Sequence, residues 1–281
     1  MNINMVYYSG AKINLGLQIL NKRSDGYHNL ESFFFPLPLF DLIEVIPHSA
    51  NANDFELSFS GIKLDFTEQD NIIYKTYYFF KEKFPNLKKI KVHLHKNIPI
   101  GSGLGGGSSN AVTMFQIIKK INNLEISFEE ELAWLSILGS DCPFFLYNKP
   151  CYIQGRGEII TPFKIDLSNY KIILFFPNIH ISTKLIFNNH IIKKNNHPLI
   201  EQISNPVAQW QDCLINDLEL TTLSLVPELK SIKNFIYKQG AIYASMSGSG
   251  SCFYGIFNKS TETQFNKELF IDNLKVNVIN V

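Results

Sequence analysis

The chain has 281 residues, a length that allows one large domain or two domains of ordinary size. With 45% hydrophobic and 18% charged residues, its composition is that of a folded globular protein and excludes disordered, collagen-like and coiled-coil classes. The net charge of +1 supplies no field for a polyanion, so nucleic acid is not an expected partner.

The four cysteines are scattered along the chain without the spacing of a zinc site or of a disulfide framework. No apolar stretch approaches the ~20 residues that a membrane span needs. Residues 1–8 lack the basic start and the apolar run of a signal peptide. We therefore expect a cytoplasmic protein with reduced thiols and no membrane partner. We also expect a monomer or a weak homodimer.

The first half of the chain opens with strands, predicted at residues 6–15, 30–39, 42–46 and 55–59. A helix is predicted over residues 71–84, because Ile73, Tyr77, Phe80 and Phe84 recur at the helical period before Pro85. A strand at residues 90–94 precedes a glycine-rich loop. The loop leads into an amphipathic helix, and Ser127 is predicted to cap another helix that ends near residue 138.

The second half is predicted to contain a strand at residues 170–176, helical segments and a helix at 227–239. Strands at 241–246 and 252–257, a helix at 261–270 and a strand at 275–279 follow. This order is similar to a split β-α-β-β-α-β unit with extra helices. Turn-forming residues cluster at 162–169, so we expect two α+β domains, residues 1–163 and 164–281, with an active site in the cleft between them.

The glycine-rich loop is the strongest functional signal in the sequence. It consists of Pro99, Ile100, Gly101, Ser102, Gly103, Leu104, Gly105, Gly106, Gly107, Ser108 and Ser109. Five glycines within seven residues allow the backbone to approach a ligand closely, and the following helix offers its N-terminal N–H groups to phosphate. A flexible linker is the alternative, but linkers do not usually lead directly into an amphipathic helix.

Two common phosphate loops do not fit this sequence. A P-loop requires lysine after its last glycine, whereas Gly107 is followed by Ser108. Gly101, Gly103 and Gly106 match the spacing of a dinucleotide-binding fingerprint. However, Pro99 separates the loop from its strand, and that strand alternates as in an antiparallel sheet.

Three motifs, in order along the chain, resemble those of the GHMP kinases, a family named for galactokinase, homoserine kinase, mevalonate kinase and phosphomevalonate kinase. The motifs are residues 9–15 (Ser-Gly-Ala-Lys-Ile-Asn-Leu), the loop with its Gly-Leu-Gly centre, and residues 246–253 (Met-Ser-Gly-Ser-Gly-Ser-Cys-Phe). The resemblance implies a kinase that uses ATP and Mg²⁺. It also implies an N-terminal domain like domain 2 of ribosomal protein S5 and a ferredoxin-like C-terminal domain.

Further segments resemble the family member that phosphorylates a cytidine diphosphate-linked polyol in isoprenoid precursor biosynthesis. They are residues 22–28 (Lys-Arg-Ser-Asp-Gly-Tyr-His), the extra glycine in 105–111, and residues 138–145. Cys142 stands where the family usually has Val or Ile, and Ser247 and Ser249 replace threonines. The alternatives are another small-alcohol kinase, such as homoserine kinase, and a nucleotide-binding pseudokinase. The presence of both Lys12 and Asp141 argues against the pseudokinase.

The resemblance places two residues at the reacting groups. Asp141 matches the catalytic aspartate, which accepts the proton of the acceptor hydroxyl. Without the resemblance, the favoured interpretation of Asp141 is an ordinary turn or N-cap residue. Lys12 matches a fixed cation that stabilises developing negative charge. Its alternative is an exposed strand lysine.

The resemblance also assigns residues to the nucleotide and its metal ion. Ser108 faces Mg²⁺ in the wider family, although Ser108 or Ser109 is also expected to cap the helix that begins there. Asn71 and Lys96 are placed near the adenine end of ATP, and Asn71 is at the same time a candidate N-cap.

Five residues are assigned to the acceptor substrate by the same resemblance. Tyr27, His28 and Phe187 suit a cytosine, which needs aromatic faces for stacking and an imidazole for its polar edge. Asn14 and Thr183 match positions that hydrogen-bond the polyol hydroxyls. The alternative for each aromatic residue is core packing, and residues 33–35 (Phe-Phe-Phe) are predicted to be core.

Overall fold

The computed structural model describes residues 5–49, 53–63, 67–192, 197–263, 265–272 and 274–281. The strands are β1 (Met5–Lys22), β2 (His28–Pro47), β3 (Phe55–Gly61), β4 (Ile90–Lys96), β5 (Cys151–Gly155), β6 (Ile159–Pro162), β7 (Tyr170–Phe176), β8 (Tyr243–Met246), β9 (Phe253–Asn258), β10 (Glu268–Ile271) and β11 (Leu274–Asn280). The α-helices are α1 (Ile72–Lys83), α2 (Gly106–Ile121), α3 (Phe128–Leu138), α4 (Cys142–Tyr147), α5 (Thr183–Asn189), α6 (Leu199–Ile203), α7 (Trp210–Cys213), α8 (Asp217–Leu225) and α9 (Lys230–Lys238).

The chain forms two compact units whose segments alternate along the sequence. The first unit contains Met1–Ala11, Pro38–Pro99 and Gly105–Asn148, and the second contains Lys12–Leu37, Ile100–Leu104 and Lys149–Val281. Strands β1 and β2 and the glycine-rich loop therefore contribute residues to both units. The predicted domain division between residues 163 and 164 stays a prediction.

In the first unit, the second half of β2 pairs antiparallel with β4, and β3 pairs parallel with β4 on its other side. Buried and partly buried residues alternate along β4, as expected for a sheet with one face in the core. Helices α1 and α2 pack together, and the core includes Tyr77, Phe80 and Phe115. This core fixes the position at which α2 begins.

In the second unit, β7, β8, β9, β10 and β11 form an antiparallel sheet in the order β10-β11-β7-β9-β8. Every residue of β8 and all but the last of β9 are buried, and α9 packs against both strands. Elsewhere in this unit, the first half of β2 pairs with β5, which forms a hairpin with β6. Helices and sheets are both well represented, which confirms the α+β class.

Most predicted elements are confirmed, but two predictions are wrong. The strands predicted at residues 30–39 and 42–46 are one continuous strand, β2. The helix predicted over 261–270 is absent from the described residues of that range, whose last three residues belong to β10. Strand β10 pairs with β11 across a turn in which Asp272 has φ +47°, so hairpin pairing outweighs the helical spacing.

Candidate active site

The middle of the glycine-rich loop, Ile100–Leu104, belongs to the second unit and lies against the C-terminal glycine motif. Gly103 has φ +79°, and a Cβ atom there would lie 2.0 Å from the main-chain oxygen of Ser247. Ser247 Oγ donates to the Gly103 carbonyl oxygen at 2.9 Å, and the Cys252 amide donates to the Ser102 carbonyl oxygen at 3.2 Å. Only glycine fits at position 103, because any side chain would displace the neighbouring motif.

The last part of the loop forms the N-terminus of α2 in the first unit. Gly105 is the N-cap residue, with φ +71°, and the helix begins at Gly106. The expectation that Ser108 or Ser109 caps this helix is wrong, since both lie inside its first turn. The N–H groups of the first turn have no partner within the helix and suit an anionic phosphate. A Cβ atom at Gly107 would meet nothing within 4 Å, which leaves room for a ligand there.

Asn71 and Lys96 are both buried in the first unit. Asn71 Oδ1 accepts a hydrogen bond from the Ile73 amide at 2.8 Å, so Asn71 is the N-cap of α1, as predicted. Lys96 is the last residue of β4, and its Nζ pairs with Asp41 Oδ2 at 2.5 Å. Burial lowers the pKa of Lys96, whereas the Asp41 carboxylate acts in the opposite direction.

Asp141 occupies the N-cap position of the short helix α4, but its side chain does not cap that helix. The next residue, Cys142, interacts with the Ser108 hydroxyl, and burial raises the pKa of the Cys142 thiol to about 12. The N-termini of α2 and α4 are therefore neighbours in the first unit. This arrangement brings the Ser108 hydroxyl close to the segment that carries the Asp141 carboxylate.

Lys12 and Asn14 share one face of β1 in the second unit. The Lys12 side chain is 2% exposed. Its Nζ donates to Asn14 Oδ1 at 2.6 Å and lies 4.2 Å from the centre of the Phe34 ring. Asn14 Nδ2 donates to Ser32 Oγ at 2.9 Å, and the Asn14 main-chain oxygen accepts from the Tyr254 hydroxyl at 2.7 Å. Lys12 is thus buried and in contact with Asn14 and Phe34, and it is not an exposed strand lysine.

His28 and Phe187 lie together in the second unit. Their ring centroids are 5.4 Å apart with an interplanar angle of 38°. Burial lowers the pKa of the His28 imidazole below its ordinary value of 6.5, and the positive charges of Lys22 and His190 lower it further. His28 therefore favours the neutral form, which can both donate and accept a hydrogen bond.

Tyr27 and Thr183 have other neighbours in this unit. The Tyr27 side chain is 52% exposed, and the Arg156 guanidinium carbon lies 5.1 Å from the centre of its ring. The Thr183 hydroxyl lies 2.9 Å from the Ser249 hydroxyl, so α5 begins beside the C-terminal glycine motif. Thus His28 contacts the Phe187 ring, and the Thr183 hydroxyl is hydrogen-bonded with the Ser249 hydroxyl. The Tyr27 ring instead contacts Arg156.

Sequence reasoning missed several residues at these positions. His180 lies where a Cβ atom at Gly101 would come within 2.4 Å of its Nδ1. Phe34 is buried, as predicted for a core residue, but its contact with Lys12 was not foreseen. Asp41 carried a readable signal. It occupies the same alternating positions as Ile43 and Val45 in β2, and a carboxylate at a core position needs partners.

Within the described ranges, no group of three or more His, Cys, Asp and Glu side chains has the geometry to hold a metal ion. All four cysteines lie in these ranges, and each is a free thiol. None of the helices described is long and apolar enough to cross a membrane.

Family models match both halves of the chain. The model of the GHMP kinases N terminal domain matches residues 71–149, and the model of the GHMP kinases C terminal region matches residues 192–270. The chain therefore belongs to the GHMP kinases, a family of ATP-dependent kinases.

The relatives are more specific than the family models. A 4-diphosphocytidyl-2-C-methyl-D-erythritol kinase of Azobacteroides pseudotrichonymphae genomovar. CFP2 is 44% identical over 91% of this chain and 94% of its own. A crystal structure of 4-(cytidine 5'-diphospho)-2C-methyl-D-erythritol kinase is 29% identical, with a TM-score of 0.76 and coverage of 90% of both chains. A homoserine kinase from Cytophaga hutchinsonii is 15% identical over 90% of this chain and 86% of its own, with a TM-score of 0.62, and therefore shares the fold alone.

Proposed function

We propose that this chain phosphorylates the 2-hydroxyl group of 4-diphosphocytidyl-2-C-methyl-D-erythritol with ATP, in the non-mevalonate route to isoprenoid precursors. The observation that carries the proposal is the 44% identity, along 91% of the chain, to a relative named for that activity. The contacts described above support the roles proposed below for individual residues.

The nucleotide is proposed to bind the glycine-rich loop and the first turn of α2. The positive φ angles of Gly101, Gly103 and Gly105 and the open space at Gly107 support this assignment, because both suit close approach of the backbone to phosphate. Asn71 and Lys96 are proposed to contact the adenine. Both are already held in place, Asn71 by its cap and Lys96 by Asp41.

The chemical step is proposed to use Asp141 and Lys12. The acceptor oxygen attacks the γ-phosphorus and forms a new P–O bond, while the bond to the oxygen bridging the β- and γ-phosphorus atoms breaks and ADP leaves. Asp141 accepts the proton of the acceptor hydroxyl. Lys12 stabilises the negative charge that develops, and Asn14 fixes the Lys12 ammonium through their 2.6 Å hydrogen bond.

Mg²⁺ is proposed as the second cofactor. The Ser108 hydroxyl beside the Asp141 segment fits a hard cation that prefers oxygen ligands. The described residues offer no cage of three ligating side chains, so phosphate oxygens and water would complete the coordination. When bound, Mg²⁺ neutralises charge on the nucleotide phosphates.

The cytidine end of the acceptor is proposed to bind Tyr27, His28 and Phe187, and its polyol end Asn14 and Thr183. Contact between the His28 and Phe187 rings provides an aromatic edge beside a neutral imidazole, a combination suited to a cytosine. The hydroxyl groups of Thr183 and Ser249 form a polar pair at the start of α5, which supports hydrogen bonding to a polyol.

The setting of the enzyme is part of the proposal. We propose a cytoplasmic monomer or weak homodimer, and the four free thiols support a reducing compartment. We also propose that residues 1–163 and 164–281 form the N-terminal and C-terminal domains. The two family-model matches, 71–149 and 192–270, fall on opposite sides of that boundary.

A coupled assay of ADP release tests the proposed function. The purified protein is given ATP, Mg²⁺ and one of three acceptors: 4-diphosphocytidyl-2-C-methyl-D-erythritol, homoserine or mevalonate. We expect turnover with the cytidine compound only. Faster turnover with homoserine would refute the substrate assignment but leave the kinase class intact, and ATP hydrolysis that no acceptor stimulates would point to a different role.

A further inference from the structure

Asp41 is a buried carboxylate in the first unit that the proposed mechanism does not use. It lies in β2, and its side chain is 0% exposed. A carboxylate without water is retained only where hydrogen-bond donors replace the lost hydration. The identity of these donors therefore indicates what Asp41 does.

Four donors surround the Asp41 carboxylate. Oδ2 accepts from Lys96 Nζ at 2.5 Å and from Asn110 Nδ2 at 2.9 Å. Oδ1 accepts from the main-chain amides of Asn97 and Ile98, each at 2.8 Å. Asn97 and Ile98 precede the glycine-rich loop, and Asn110 lies in α2 after it. A single carboxylate thus holds both flanks of the loop.

The connection continues into the first turn of α2. Asn110 Nδ2 also donates to Ser9 Oγ at 2.9 Å, and Ser9 Oγ donates to Ser109 Oγ at 2.8 Å. A Cβ atom at Gly106 would lie 3.1 Å from Lys96 Nζ. The Lys96 ammonium therefore lies directly beside the first residue of α2.

Electrostatics explain why a carboxylate is needed beside Lys96. The N-terminus of a helix carries partial positive charge, so a buried ammonium next to Gly106 is unfavourable by itself. The negative charge of the Asp41 carboxylate offsets both the Lys96 ammonium and the partial positive charge of the helix N-terminus. The β2 and β4 register runs from Pro47↔Ile90 to Leu42↔His95, so Asp41 and Lys96 lie one step further along the same ladder. The two strands thus deliver the pair directly to the start of the loop.

We propose that Asp41 is a positioning residue for the nucleotide, which holds Lys96 and the two flanks of the glycine-rich loop in the geometry that binds ATP. The proposal rests on the proposed function, because that function assigns ATP to this loop. Asp41 acts through Lys96, Asn110 and the backbone, and does not itself touch the nucleotide.

The test uses direct binding of two ligands to the full-length protein. Asp41→Asn keeps the size of the side chain but removes the charge that Lys96 needs. The matched control is Glu131→Gln, which removes the charged partner of Lys119 from a partly buried ion pair of the same unit, at the other end of α2. Each variant is titrated by calorimetry with a nonhydrolysable ATP analogue and with 4-diphosphocytidyl-2-C-methyl-D-erythritol, and its melting temperature is recorded.

We expect Asp41→Asn to lower the affinity for the ATP analogue by about tenfold or more, which is the effect of losing one charge-assisted hydrogen bond. The affinity of this variant for the cytidine compound should change by less than about threefold. Glu131→Gln should also melt at a lower temperature, but its affinities for both ligands should stay within about threefold of the wild-type values. If Asp41→Asn melts earlier but binds the ATP analogue as the wild type does, Asp41 is only structural and the proposal is overturned. Equal weakening of both ligands would overturn it as well.

A second variant gives a result if Asp41→Asn does not fold. Asn110→Ala leaves the Asp41 and Lys96 pair intact but cuts its link to α2. The proposal predicts weaker binding of the ATP analogue with cytidine affinity retained, and unchanged nucleotide affinity contradicts it. If the wild type does not bind the cytidine compound at all, the proposed substrate fails, while the nucleotide titrations still decide the role of Asp41.

Discussion

Asp141 is the N-cap residue of α4, but its side chain does not cap that helix. Asp141→Asn keeps the shape of the side chain and removes the base. Because positioned base catalysis is worth ~10²–10⁴-fold in rate, we expect kcat to fall within that range. Calorimetry with both ligands should give affinities close to those of the wild type.

The control for this prediction is Asp166→Asn, which changes an exposed carboxylate bonded to the Ser168 amide. It should retain the activity of the wild type. An Asp141→Asn variant with more than about half of wild-type turnover would show that Asp141 is not the base.

His28 predicts a pH dependence of stability. Its pKa in the folded protein is below 6.5, mainly because of burial. The unfolded chain therefore binds more protons than the folded chain as the pH falls below 6.5, and unfolding becomes easier. The stabilisation that depends on neutral His28 is complete above pH 6.5 and is lost as the pH falls through the folded pKa.

The measurement is urea unfolding of the wild type and of His28→Gln between about pH 8 and pH 5. We expect the difference in unfolding free energy between the two proteins to be constant above pH 6.5. Below pH 6.5, the wild type should lose stability relative to His28→Gln. A difference that does not change with pH would show that His28 does not titrate in this way.

Gly105 links the loop to α2, and its φ of +71° is a conformation that valine strongly resists. Gly105→Val should therefore displace the start of the helix and weaken binding of an ATP analogue. Calorimetry on the folded variant is the measurement. Gly240→Ala is the control, because Gly240 has φ +89° beyond the end of α9 and far along the sequence from the loop.

The Gly240 variant should lose stability and keep its affinity for the nucleotide. If Gly105→Val folds and binds the ATP analogue with wild-type affinity, the loop is not the phosphate site.

Helix α3 begins with a capping box in which Ser127 and Glu130 each bond the backbone amide of the other. Ser127→Ala should lower the free energy of unfolding by ~0.5–2 kcal/mol, since it leaves the Glu130 amide without its acceptor. Chemical denaturation is the check, with Ser136→Ala in the last turn of α3 as the comparison. An equal loss in the two variants would indicate a general effect of removing a hydroxyl group.

These elements also show how far local patterns determine the fold. Helices α1 and α3 were predictable because period, cap and stop signals agree in each of them, whereas α2 was predicted from its amphipathic period and its expected cap was wrong. The segment at 261–270 has helical spacing, but its last residues pair with β11. Strand β11 follows directly in the chain, so the turn that contains Asp272 was the signal of a hairpin that the sequence analysis did not use.

Across the whole molecule, the motifs identified the family and most of the proposed site because their residues are contiguous in sequence. Asp41 was not found and the contact of Phe34 with Lys12 was not foreseen, because both depend on residues distant in the chain. Such pairings are fixed by strand register, which one sequence shows only indirectly.

The residues proposed for the adenine and for Mg²⁺ and the residues proposed for the cytidine end belong to different units. Asn71, Lys96 and Ser108 belong to the first unit, whereas Tyr27, His28 and Phe187 belong to the second. Substitutions of the cytidine residues should therefore affect one ligand and not the other. Stacking of a base on an aromatic side chain is worth ~1–3 kcal/mol, which corresponds to roughly five- to 150-fold in affinity.

We expect Phe187→Ala and Tyr27→Ala each to lower the affinity for 4-diphosphocytidyl-2-C-methyl-D-erythritol by roughly five- to 150-fold. The affinity for a nonhydrolysable ATP analogue should stay near that of the wild type. Each variant is titrated with both ligands. Leu185→Ala is the control, because Leu185 lies in the same helix as Phe187 and is exposed. Loss confined to the cytidine ligand supports the assignment. Equal losses for both ligands would identify these aromatic residues as packing residues whose removal loosens the fold, and a loss for Phe187→Ala alone would restrict the base site to the His28 and Phe187 pair.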